Sequence, residues 1–102
     1  MNAVRSPAVA GYFYPAEPNQ LRSELRDMLS SAPRTTHAPV PKALIVPHAG
    51  YVYSGPIAAQ GYVRLMPAAG NIRRVVLLGP AHRVAVRGLA LPEATSFATP
   101  LG

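Results

Sequence analysis

Leu21, Leu25, Met28 and Leu29 follow one another at i, i+4, i+7 and i+8, separated by polar and charged residues. The spacing puts all four side chains on one stripe and predicts a helix over Asn19 to Ser30, with the Asn19 side chain placed to cap its start. "SSAPRTTHAPVP" then ends the periodicity with three prolines and several hydroxyl residues, so it reads as a surface connection in which His37 is a solvent-exposed bystander. Ala43 to Val46 is a continuous apolar run closed by Pro47, the pattern of a strand buried on both faces. A second helix is expected after it, with Ser54 as N-cap, Pro56 in the first turn, Ala58, Tyr62, Leu65 and Met66 along one face, and Pro67 as its stop. Val75 to Leu78 repeats the buried-strand pattern up to Gly79-Pro80, and a last strand is expected through Gly88 to Leu91.

Strand, helix and strand joined by short turns make a βαβ unit, which joins two parallel strands by a right-handed crossover. The expected class is therefore α/β, with a parallel or mixed sheet and flanking helices. In such a unit both strands end on the same edge of the sheet, and ligands of open α/β sheets bind beyond that edge. His48 follows the first expected strand and His82 the second. Across neighbouring strands roughly 5 Å apart, both imidazoles reach one shared point.

Composition narrows what that point could serve. The chain has 102 residues, enough for one small domain, and is 49% hydrophobic against 14% charged, which excludes intrinsic disorder. There is no cysteine, hence no disulfide framework and no thiolate metal site. The opening "MNAVRSPAVAGYFYP" lacks the apolar core of a signal peptide, and no run is long enough to span a bilayer, so a cytoplasmic protein without membrane contact is expected. The net charge of +6 raises nucleic acid as a partner, but the arginines lie singly or as the pair Arg73 and Arg74, without a basic helix or an aromatic-basic ladder. Ordinary solvated charge accounts for them, and no nucleic-acid partner is expected.

Two neutral imidazoles suit zinc, copper or iron, and with a further donor they leave open positions for a substrate. Taken singly, each histidine would be explained by a hydrogen bond to a strand-end carbonyl; placed on one rim by topology, the pair favours a metal or catalytic role. Tyr51, Tyr53 and Ser54 add hydroxyls to the expected substrate pocket, the two tyrosines facing one way if the backbone is extended there. Ser54 beside His48 hints at nucleophilic catalysis, yet no G-x-S-x-G elbow is present and a capping role already explains the serine. No carboxylate accompanies the histidines: Glu17, Glu24 and Asp27 belong to the first helix region and Glu93 to the tail.

"AGYFYPAEPNQL", "PHAGYVYSG", "VVLLGPAHR" and "FATPLG", in this order, resemble the Memo family, which includes the AmmeMemoRadiSam system protein B members. The resemblance covers nearly the whole chain, and "PHAGYxYSG" followed by "LGPxH" is a specific combination. It implies an α/β fold similar to class III extradiol dioxygenases with a metal pocket at the sheet edge, two of whose histidines match His48 and His82. Members are more than twice as long and supply further pocket residues from segments absent here. Where some carry a second histidine after the "LGPxH" histidine, this chain has Arg83. The resemblance thus implies that residues 1–102 are the amino-terminal portion of a single Memo-like domain, truncated at its carboxyl end, and two functions stay open for the complete protein. One is a non-haem metal-dependent redox enzyme using a divalent metal, iron or copper ahead of zinc. The other is a non-catalytic module for a peptide or phosphorylated ligand, with Tyr12, Phe13, Tyr14 and the arginines at its rim. Because buried parallel strands need cover on both faces, the short chain alone is expected to self-associate or to depend on a partner segment.

Overall fold

The computed structural model describes residues 3–34 and 37–102. Its first helix, α1, spans Pro18–Ser31 and carries the expected stripe inward: Leu21 is buried, and Leu25, Met28 and Leu29 are half-buried. The cap is Glu17 rather than Asn19. The Glu17 carboxylate accepts the backbone N–H groups of Asn19 at 3.0 Å and Gln20 at 2.7 Å, satisfying two donors that the first turn leaves unpaired. Pro18 takes the first helical position, where its missing N–H costs nothing. Asn19 instead accepts from Arg22 Nη1 at 3.2 Å.

The second helix, α2, spans Tyr51–Tyr62 and tightens into a 3-10 helix over Val63–Ala68. It starts three residues before the serine expected to cap it, because a distant backbone group does the capping. A tight turn over residues 9–14, with Gly11 at a φ of +84°, presents the Phe13 carbonyl to the Tyr51 N–H at 2.8 Å. Ser54 and Pro56 consequently lie inside the helix. Pro56 offers no N–H to the Val52 carbonyl, on a face open to solvent.

The buried face of α2 also differs from the one expected. Gly55, Ala59 and Val63 turn inward at steps of four, whereas Tyr62 and Met66 are exposed. The reason is size: α1 lies so close that a Cβ on Gly55 would collide with the Met28 sulfur, so α2 presents its smallest residues there. Ala32, Ala59 and Val63 form the core, with Met28 and Leu29 packed on it.

Three of the expected strands are not formed among the described residues. Residues 43–46 and 75–78 are without a β ladder, and so are residues 88–91. Leu44 and Val46 do face α2, but Ile45 is fully exposed, so the run is covered on one side only. Val75, Val76, Leu77 and Leu78 are each at least 74% exposed. A strand buried on both faces needs a second covering layer, and both helices lie on one side. The sheet that does form joins β1, Val4–Arg5, in parallel to β2, Ser96–Phe97. The chain is α/β, with its strand pair where no apolar run announced it. A Cα radius of gyration of 15.2 Å, against roughly 13 Å for a compact chain of this length, agrees with the uncovered face. No helix among the described residues is long and apolar enough to cross a membrane.

A Cβ on Gly61 would stand 2.8 Å from Val46 Cγ1. The stiff valine side chain cannot step aside, so Gly61→Ala should lower stability by about 1–2 kcal/mol despite alanine's better helix propensity, measured by urea unfolding. The two backbone N–H bonds, from Asn19 and Gln20, hold the Glu17 carboxyl below its ordinary value of 4.5. A lowered folded-state pKa stabilises above the unfolded value and loses that contribution as pH falls through the folded one. Thermal unfolding followed by circular dichroism should therefore show a decline below about pH 4.5 that Glu17→Gln reduces.

Candidate two-histidine site

The loop of residues 47–50 leaves the 43–46 run and enters α2, and the Phe13 carbonyl and Ser54 hydroxyl fix it from two sides. Ser54 is buried, and its Oγ donates to the Ala49 carbonyl at 2.6 Å, with the Gly50 carbonyl 3.3 Å away. A Cβ built on Gly50 would stand 3.6 Å from Phe13 Cα, so the loop passes close to the turn that caps the helix. His48 projects from this loop. His82 comes from the segment that follows residues 75–80.

The two rings meet although their strands do not pair. His48 Nε2 and His82 Nε2 are 3.2 Å apart, and the rings stack with centroids 5.3 Å apart and planes inclined by 28°. A hydrogen bond between them requires one ring to present its Nε2–H and the other a bare Nε2. Both residues are exposed. Among the described residues no group of three or more His, Cys, Asp or Glu gathers in a way that could hold a metal ion.

Beneath the histidines lies a cavity of about 820 Å³ between the two helices and residues 77–80. Leu25, Met28, Leu29, Ala58, Leu77 and Leu78 supply apolar wall, and His48, His82, Tyr51 and Ser54 also line it. Tyr51 packs its ring against Tyr14, centroids 5.6 Å apart. Burial, followed by smaller effects of Tyr14, Tyr62 and Glu24, pushes the Tyr51 phenol above its usual pKa, so it remains a protonated donor. Tyr53 stands apart: it is 81% exposed and does not line the cavity. The expectation that both tyrosines face one way assumed extended backbone; in a helix, residues two apart point to nearly opposite sides. His37 is exposed, with a φ of 67°.

Reading the sequence named Phe13 and Tyr14 only as rim residues of a binding module, and missed that the Phe13 carbonyl anchors α2, that Tyr14 packs on Tyr51, and that Leu77 and Leu78 make a wall. The glycine and proline bracketing "GYFYP" mark a turn, but nothing local says what that turn touches.

A family model described as Memo-like protein matches residues 5–102. The chain belongs to the Memo family. Among its relatives, the MEMO1 family protein of Methanopyrus kandleri is 40% identical over 105 residues, covering 96% of this chain and 37% of the relative. Protein MEMO1 of Xenopus tropicalis is 41% identical over 97 residues, covering 95% of this chain and 31% of its own length. The MEMO1 family protein of Aquifex aeolicus is 40% identical over 100 residues, with 97% and 35% covered. The Memo chain described here thus spans about a third of the length of the relatives it matches. No solved structure matches it.

Removing the buried hydroxyl should loosen the histidine loop. Ser54→Ala is expected to cost about 1 kcal/mol, the net worth of an ordinary hydrogen bond, seen as a lower denaturation midpoint with an unchanged slope.

Proposed function

We infer that His48 and His82 are two ligands of a divalent metal in a Memo-family pocket, and that the complete protein uses this centre for non-haem redox chemistry on a small substrate. The Nε2 separation carries the reading. Two imidazole nitrogens bound to one tetrahedral ion at about 2.0–2.1 Å each stand roughly 3.3–3.4 Å apart. The observed 3.2 Å is close to that, so an ion could take the place of the proton between the rings once each ring swings to aim its Nε2 lone pair at it. The rings fit the group as ligands, and the set lacks a third donor among the described residues.

A bound iron or copper would supply a redox centre with open coordination positions. The protein's own residues do the rest. Phe13 and Ser54 hold the loop that orients His48; Tyr51 offers a phenolic proton to a substrate atom; the leucines and Met28 give the cavity an apolar wall. Ser54 is not a nucleophile in this scheme, because its hydroxyl proton is engaged by the Ala49 carbonyl at 2.6 Å and no bond joins it to His48.

Two imidazoles alone should bind metal weakly, since zinc sites ordinarily use three or four protein ligands. After dialysis, atomic spectrometry should find little iron, copper or zinc on the 102-residue chain. The full-length Methanopyrus kandleri relative should retain metal and lose affinity roughly tenfold or more when either matching histidine becomes alanine. Stoichiometric metal on this chain that survives both His48→Ala and His82→Ala would overturn the assignment.

A further inference from the structure

Resting on the metal reading, we propose that the cavity takes a neutral, largely apolar small molecule with one donor atom, seated with that donor against the paired histidines. The first ground is charge. The chain carries +6, and every charged residue between Asp27 and Glu93 is an arginine or a lysine. Among the described residues no arginine or lysine lines the cavity all the same. A phosphorylated or carboxylate ligand would enter without a cationic partner, at a desolvation cost that nothing in the wall offsets.

The second ground is where the polar atoms lie. Leu25, Met28, Leu29, Ala58, Leu77 and Leu78 are apolar, while the polar side chains of the lining besides Ser54 are Tyr51, Tyr62 and the pair His48 and His82, whose rings are bonded to each other. Ser54 faces the cavity with its hydroxyl already donated to Ala49. A ligand of matching design has an apolar body and a single polar head. The volume of about 820 Å³ lies within the ~300–1,000 Å³ of small-molecule sites, and admits a body of several fused rings or an equivalent aliphatic one. A peptide, whose backbone would bring an N–H and a C=O at every residue, finds no partners along this wall.

The test uses the full 102-residue chain and three fluorescent probes at neutral pH: 1-hydroxypyrene, pyrene and a fluorescein-labelled phosphotyrosine peptide. Without metal, the two pyrenes should bind within about threefold of each other and at least roughly tenfold more tightly than the peptide. Zinc, chosen because it does not quench, should tighten 1-hydroxypyrene but not pyrene. Ala58→Phe should weaken both pyrenes by filling the wall. Should that variant fail to fold, Leu77→Asp, on an exposed segment, weakens them by charging the wall instead. Tighter binding of the phosphopeptide, or pyrene binding indifferent to both wall variants, overturns the proposal. If wall variants weaken 1-hydroxypyrene while zinc and His48→Ala leave it unchanged, the apolar ligand class stands and the metal reading of the histidines falls.

Discussion

The close approach of α1 to α2 is the constraint on which the remaining structure depends. Gly55 admits Met28, Ala59 and Val63 meet Ala32 and Leu29, and on its other side α2 uses Gly61 to admit Val46. A helix of small residues can touch two neighbours at once because neither contact is held off by a long side chain. The cost is a thin core: Leu21, Ala32, Ala59 and Val63 are the buried hydrophobic residues among those described. Such a core tolerates little change in volume, since close-packed interiors register even a single methyl group. The position of α2 then sets the loop before it, and with that loop the place of His48.

Helix α1 was legible because its information is local. Four apolar residues at helical spacing face the core whatever lies elsewhere in the chain, and the described structure turns Leu21, Leu25, Met28 and Leu29 inward. The cap was misread by two residues, because the Glu17 side chain reaches over Pro18 to the N–H groups of Asn19 and Gln20, whereas an Asn19 cap would have served Leu21 and Arg22. The strands were not legible in the same way. An apolar run such as residues 75–78 says that burial is favourable, but a ladder requires a partner, and the partner is set by tertiary structure. Conversely, Val4–Arg5 and Ser96–Phe97 pair without any alternation long enough to read.

The two histidine rings meet although the ladder expected to bring them together did not form. What survives is the order apolar run, helix, apolar run, after which His48 and His82 come together. Side-chain direction was not recoverable where the backbone was read as extended: residues 51 and 53 are helical, so Tyr51 reaches the cavity and Tyr53 does not. The capping contact of Phe13 on Tyr51 explains why the helix begins early. It also couples the amino-terminal turn to the rim, for the same tyrosine that accepts this anchorage through its N–H as donor also packs its ring on Tyr14.

The pairing of β1 with β2 bears on the order in which the molecule assembles. The Thr95 side chain reaches the Ala3 carbonyl across 92 residues, and the Ala98 N–H donates to Arg5 at 2.8 Å. Closing a flexible loop of that length from the unfolded chain costs about 4 kcal/mol by the logarithmic law, before its constant term. A two-residue ladder, with bonds worth about 0.5–1.5 kcal/mol each, barely offsets this. It becomes favourable once the helices have packed and shortened the free chain between its ends. The ladder is therefore a late clasp on an already folded helix pair, and its long sequence separation raises the contact order and slows the final step.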